Sequence, residues 1–194
     1  MIAARHEGEE PTLLLTFHGT GGDEAQFHGL GRELMPRAHV VSPRGEVSEG
    51  GASRYFRRTA EGVYDMADLA ARTAGMAAFI EAEVARTGAT RICALGYSNG
   101  ANILASVMFA HPGLVREAIL LHPLIPFEPA PQPGLAGARV LITAGRRDPI
   151  CPAPLTQRLA DWLSAQGAGV SLAWAEGGHE IAASELAAIR AFLG

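Results

Sequence analysis

Short apolar runs alternate with longer amphipathic stretches along this chain. Runs rich in Leu, Val and Ile lie at Thr12–Phe17, His39–Ser42, Arg91–Leu95, Ala118–Leu121, Val140–Thr143 and Val170–Trp174. Each is too short for a buried helix and ends near Gly, Pro, Ser or Asp, so each predicts a strand. Between them the period changes to three and four. From about Tyr64 to Arg86, residues Met66, Leu69, Thr73, Met76, Ile80 and Val84 share one face, while Asp68, Arg72, Glu81 and Glu83 fall mostly elsewhere. That is the pattern of a helix packed on a sheet, with Gly88 as its stop. Further helices are predicted over Asn99–Ala110, Ala153–Gln166 and Ile181–Leu193. Strand and helix in alternation give an α/β class with a parallel sheet covered on both faces.

Two stretches show neither pattern: Arg44–Gly62, and Pro123–Gly137 with its five prolines. Loops this long in a compact domain are usually functional or mobile, and both leave the carboxyl ends of strands, where open α/β sheets bind ligands. The 194 residues read as a single domain, 1–194, without linker, repeat or low-complexity segment. A hydrophobic fraction of 48% and a charged fraction of 19% are those of a globular protein. No apolar run approaches the ~18 residues of a membrane span. Glu7, Glu9 and Glu10 stand where a secretory signal would be apolar. The two cysteines, Cys93 and Cys151, are far apart and fit reduced thiols, so a cytoplasmic location is expected. The net charge of −4, with no basic stripe, argues against a nucleic-acid partner. No His, Cys or carboxylate spacing suggests a metal site, and no cofactor is expected.

The chemistry concentrates at Gly96-Tyr97-Ser98-Asn99-Gly100, which follows one strand pattern and opens a helical one. A sharp strand-to-helix turn holds such a serine strained and exposed at the sheet edge. With eight serines and 23 glycines, chance alone gives about 0.1 Gly-x-Ser-x-Gly matches, so it is the flanking strand and helix that make the motif informative. A serine hydroxyl needs a base, and the base an orienting acid, in the chain order Ser, acid, His. Asp148 and His179 each lie just past a predicted strand and fit that order. Of the other histidines, His6, His28, His39 and His111 fall at the N-terminus, in helices or at the wrong ends of strands. His18 and His122 follow strands and suit supporting roles. The loop His18-Gly19-Thr20-Gly21-Gly22-Asp23 can aim a backbone N–H of Thr20 or Gly21 at a developing oxyanion, together with the N–H of Asn99; one such donor is worth roughly 3–4 kcal/mol of transition-state stabilisation. A phosphate loop is the rival, but Glu24 stands where the third glycine is needed. In Arg54-Tyr55-Phe56-Arg57-Arg58 the arginines either clamp an anionic substrate group or form a solvated edge.

Together these segments resemble the phospholipase/carboxylesterase branch of the α/β-hydrolases, which includes acyl-protein thioesterases and bacterial carboxylesterases. The wording is most similar to bacterial esterases of quinone and hydroquinone responses at Arg57, at Gly96-Tyr97-Ser98-Asn99-Gly100-Ala101-Asn102 and at Asp148-Pro149-Ile150-Cys151-Pro152. The resemblance covers the chain from Thr12 onward. It implies three α/β/α layers around a largely parallel sheet of six or seven strands, a leading hairpin shortened or absent, and no large lid. It also implies ester hydrolysis through Ser98, His179 and Asp148, with Thr20 and Asn99 as oxyanion donors and His18, Gly21, Arg57, Tyr97 and His122 as possible substrate contacts. The expected partner is a small-molecule ester or thioester, with homodimerisation possible. Asn99 stands where acyl-protein thioesterases usually carry Gln, which weakens the case for a long-chain protein-acyl substrate. The alternatives are a thioesterase or lysophospholipase for longer acyl chains, and a ligand-binding module without catalysis.

Overall fold

Seven strands form one sheet in the computed structural model, which describes all 194 residues. In chain order the elements are β1 (Ala3–His6), β2 (Thr12–Phe17), α1 (His28–Leu34), β3 (His39–Pro43), β4 (Val47–Glu49), β5 (Ala52–Arg54), β6 (Arg58–Ala60), β7 (Val63–Tyr64) and α2 (Met66–Thr87). These are followed by β8 (Arg91–Tyr97), α3 (Asn99–Ala110), β9 (Glu117–Leu121), β10 (Arg139–Gly145), α4 (Ala153–Ala165), β11 (Gly169–Ala175) and α5 (Ala183–Leu193). The sheet order is β1-β3-β2-β8-β9-β10-β11. Every neighbouring pair is parallel except β1 with β3.

Side chains on successive strand residues point to opposite faces, and the core divides accordingly. Leu13, Leu15 and Phe17 of β2, with Val140 and Ile142 of β10, join the face covered by α2, α3 and α4. Leu95, Ile119, Leu121 and Leu141 face the other way, against Ile189 of α5. Two buried faces explain why all six residues of β2 are buried, with the one interior polar group, the Thr16 hydroxyl, bonded to Ser42 at 2.7 Å. The helix α3 is buried at ten of its twelve positions and lies between the sheet and α2. Asp65 caps α2 by accepting from the Asp68 N–H at 3.0 Å, and Gly88 ends it in the left-handed conformation at φ 65°.

The six strands and four helices expected from the sequence are present, with ends shifted by up to two residues. Three features differ. The leading hairpin is shortened but not absent: β1 lies antiparallel to β3 from Ala3↔Pro43 to His6↔Val40, at the edge of the sheet. Its sequence carries no apolar run because backbone pairing and the contact of Arg5 with Glu83 of α2, at 2.6 Å, hold it. The short α1 was not predicted; two glycines in seven residues and no capping side chain hide it. The first long loop and the two residues after it form two hairpins, β4 with β5 and β6 with β7. The second, Pro123–Gly137, stays irregular apart from one 3₁₀ turn at Pro133–Leu135. Cys93 and Cys151 are both buried free thiols, and no helix is long and apolar enough to cross a membrane.

Candidate active site

Ser98 links β8 to α3 with φ 52° and ψ −115°, one of only two non-glycine residues at positive φ. Backbone in that region costs about 1–3 kcal/mol, which the surrounding structure must hold in place. The flanking glycines allow it. A Cβ on Gly100 would lie 2.4 Å from the His18 carbonyl oxygen and 2.5 Å from that of Phe17, and one on Gly96 would lie 2.5 Å from the Gly100 oxygen. Only without those atoms can α3 start so close to β2 and β8. Serine at a helix N-cap ordinarily accepts from an N–H of the first turn. Here the Ser98 hydroxyl makes no such bond and lies 2.9 Å from Nε2 of His179.

The other ring nitrogen of His179, Nδ1, is 2.7 Å from Oδ2 of Asp148. His179 sits in the turn after β11, where the Tyr97 hydroxyl donates to its carbonyl at 2.7 Å and the Arg147 N–H donates to Gly177 at 3.0 Å. Asp148 follows β10. Its Oδ1 accepts from the Ile150 and Cys151 N–H groups at 2.8 and 2.9 Å, which leaves Oδ2 to face the ring. Burial alone would raise the Asp148 pKa, and the donors at Cys151, His122, His179 and Ile150 outweigh it, holding the carboxyl below its ordinary range. The fold thus brings the side chains of Ser98, His179 and Asp148 into one chain of hydrogen bonds.

That chain continues further than the sequence suggests. His122, at the end of β9, is fully buried and is the second residue at positive φ, 49°. Its Nδ1 is 2.9 Å from Oδ2 of Asp148, and its Nε2 is 2.9 Å from Oε1 of Glu185 on α5. The second oxygen of Glu185 accepts from the Ala182 N–H at 2.6 Å. His122 therefore lies behind the carboxylate and does not face a substrate. Glu185 was missed altogether. The available signal is its place four residues before Ile189, on the buried stripe of α5, where a carboxylate is out of character.

Hydrogen bonding separates the candidate oxyanion donors. In the loop after β2, the His18 N–H donates to the Tyr55 hydroxyl, Gly19 to Gln26, Gly21 to Ser53 and Gly22 to Gly19. From His18 to Gly22 the Thr20 N–H alone has no acceptor within the chain, so Gly21 drops out as an alternative. Asn99 opens α3, and its N–H belongs to the first turn that a helix cannot satisfy internally. His18 is buried, accepts from the Gly45 N–H at 2.9 Å through Nε2, and donates from Nδ1 to the Gly19 carbonyl at 2.7 Å. Burial depresses its pKa, and with both nitrogens occupied it shapes the loop and has no atom left for a substrate.

Asn99 and Asn102, in the first turn of α3, pin both long loops. Asn99 Oδ1 accepts from the Tyr55 N–H at 2.7 Å, and Asn102 Oδ1 accepts from the Leu124 N–H at 2.7 Å. Arg54 is buried and donates to the Thr20 hydroxyl at 2.7 Å, while Arg58 pairs with Glu49 at 3.0 Å and with Glu61. Arg57 is exposed and its guanidinium has no partner; its backbone is held, the N–H by Asp68 at 2.7 Å and the carbonyl by the Asp65 N–H at 3.1 Å. Donor atoms of His122, Asp148 and His179 lie within 4.8 Å of one another. Each already has a hydrogen-bond partner in this group, which is the chemistry of a proton chain and not of a metal cage.

No protein-family model matches the chain. It is 41% identical over 181 residues to MhqD of Bacillus subtilis (strain 168), a protein provisionally named a hydrolase, covering 92% of this chain and 90% of that one. The crystal structure of Atu2452 from Agrobacterium tumefaciens, of unknown function, is 52% identical with a TM-score of 0.94, covering 98% of this chain and 94% of that one. The Bacillus cereus carboxylesterase is 35% identical with a TM-score of 0.91, over 98% and 92% of the two chains.

Proposed function

Because the chain belongs to the carboxylesterases of the α/β-hydrolase fold, we propose that it hydrolyses carboxylic esters of small or medium acyl groups through an acyl-enzyme on Ser98. One observation carries this reading: the unbroken series Ser98 Oγ, His179 Nε2, His179 Nδ1 and Asp148 Oδ2, with separations of 2.9 and 2.7 Å across its two hydrogen bonds. As Ser98 Oγ attacks the ester carbonyl carbon, its proton passes to His179 Nε2. Asp148 holds the ring by the Nδ1–H bond and stabilises the imidazolium that forms. The carbonyl oxygen, now negative, takes the N–H groups of Thr20 and Asn99. Collapse expels the alcohol, which leaves with the proton from Nε2, and the acyl group stays on Ser98. Water repeats the sequence, giving up a proton to Nε2 and releasing the acid.

Substrate size is argued from the surroundings. An apolar groove of about 370 Å³ runs between α2, α3 and the proline-rich loop, lined by Met66, Leu69, Phe109, Phe127 and Pro131 among others, and none of Ser98, Asp148 and His179 lines it. Nothing in it directs a long acyl chain to the serine. The unpaired guanidinium of Arg57 is available for a polar or anionic group of the substrate. The two buried free thiols fit a reducing compartment, and we place the protein in the cytoplasm.

The test is a panel of nitrophenyl esters of two to twelve carbons, assayed with wild type and Ser98→Ala, together with labelling by a fluorophosphonate. Turnover greatest at four carbons or fewer, lost in Ser98→Ala, with one label on Ser98, is the expected result. A wild-type rate no higher than that of Ser98→Ala would end the proposal, and a preference for eight carbons or more would replace its substrate class.

A further inference from the structure

We propose that His122 is a positioning residue of this site, held as an imidazolium between Asp148 and Glu185, and that the His122–Glu185 pair sets the pH range in which His179 works as a base. The inference rests on the function proposed above. Its geometry does not. An ionised carboxylate only accepts hydrogen bonds, and both ring nitrogens of His122 lie 2.9 Å from a carboxylate oxygen. Two protons must therefore be shared among one ring and two carboxyl groups. Imidazole is about two pKa units more basic than a carboxyl group, so both protons sit on the ring. The other donors agree: Asp148 Oδ1 already takes two backbone N–H groups and Glu185 Oε2 takes the Ala182 N–H, and all of these favour the ionised acids.

The groups around the ring leave no competing partner. From β8, the Tyr97 ring stands 6.0 Å away, its hydroxyl donating to the His179 carbonyl. From the turn after β10, the Cys151 thiol donates to the His122 carbonyl at 3.1 Å, and from beyond β11 come His179, ring to ring at 5.3 Å, and the exposed Glu180. Burial alone would push the His122 pKa down, and the bonds to Glu185 and Asp148 more than reverse it. The strained φ of 49° is held by the His122 N–H bond to the Thr143 carbonyl at 2.9 Å. Asp148 Oδ2 thus serves two rings, and the fixed positive charge on one moderates how strongly the carboxylate attracts a proton to the other. Glu185 keeps that charge in place.

Nitrogen-15 NMR of the full chain labelled at histidine, with the His122 ring assigned through its own backbone in wild type, tests this directly. At pH 8 both His122 ring nitrogens are expected to carry protons; one unprotonated nitrogen at that pH overturns the proposal, whether or not any ester is turned over. In Glu185→Gln the ring should fall to a single proton. With a four-carbon nitrophenyl ester, the acid limb of kcat/KM should then move up by about 1–2 pH units, as expected on losing a cation this close, with KM little changed. A limb that stays in place while the ring loses its proton would leave His122 a structural residue only and also overturn the proposal.

Discussion

Replacing Asp148 by Asn separates orientation from charge, because the backbone dictates how the new side chain must lie. The N–H groups of Ile150 and Cys151 hold Oδ1 at 2.8 and 2.9 Å and would hold an amide oxygen in the same place. The amide nitrogen then takes the place of Oδ2 and presents donors to Nδ1 of both His179 and His122. His179 can meet a donor at Nδ1 only by carrying its proton on Nε2, which then points at Ser98 and cannot accept from it. An error of tautomer of this kind costs about 10⁴ in kcat, or about 5.4 kcal/mol. His122 simultaneously loses one of its two buried counter-charges, a change worth about 3–5 kcal/mol of stability. At about 2–4 °C per kcal/mol for a domain of this size, Tm should fall by roughly 6–20 °C. Initial rates on a four-carbon nitrophenyl ester and thermal melting followed by circular dichroism measure the two effects on one preparation. A kcat within tenfold of wild type would refute the orienting role of Asp148, and an unchanged Tm would refute its electrostatic tie to His122.

Other outcomes follow from the same geometry. Thr20→Pro removes the unoccupied N–H between Gly19 and Gly21 and should lower kcat by about 10²–10³, whereas Thr20→Ala keeps the N–H and should lose far less; equal losses in stopped-assay rates would remove Thr20 from the oxyanion site. Ser98→Gly relieves the strained φ and should melt higher than Ser98→Ala, by up to about 1–3 kcal/mol in denaturant titration, with both variants inactive. Stability should also depend on pH in both directions. His122 is raised in the folded state, so its contribution is complete below the ordinary histidine value of about 6.5 and is lost as pH climbs through the raised value. Asp148 and Glu185 are lowered, so theirs is present above the ordinary carboxyl range of about 4 and is lost as pH falls through the lowered values. Tm measured from pH 3 to 9 should therefore be highest between about pH 4.5 and 6.5; a Tm that climbs steadily to pH 9 would contradict the buried imidazolium.

What the sequence revealed and what it hid follow from how each residue is held. Thr12–Phe17 was legible because a strand covered on both faces carries leucines at three successive positions. Ser98, Asp148 and His179 were legible because each follows a strand, and strand ends in a parallel sheet with one crossover sense gather at one edge. The strand Ala3–His6 was not, since it is held by backbone pairing that any residue can supply. Glu185 and the full role of His122 were hidden for a different reason. Their bond spans 63 positions, and on one helix a buried glutamate is spelled like any surface one. The occupied N–H groups around Thr20 likewise depend on Ser53, Tyr55 and Gln26, which come together only in three dimensions.

The burial of α3 divides the molecule into a part that cannot vary and a part that can. A nucleophile mounted at the N-cap of a helix buried at ten of its twelve positions cannot shift to meet a new ligand without disturbing the centre of the protein. The two long loops are fastened to that same helix end by single amide side chains, Asn99 and Asn102, and are otherwise open to solvent over much of their length. Changes of selectivity, by natural drift or by laboratory evolution, should therefore accumulate within residues 44–62 and 123–137 and leave the serine's mounting untouched.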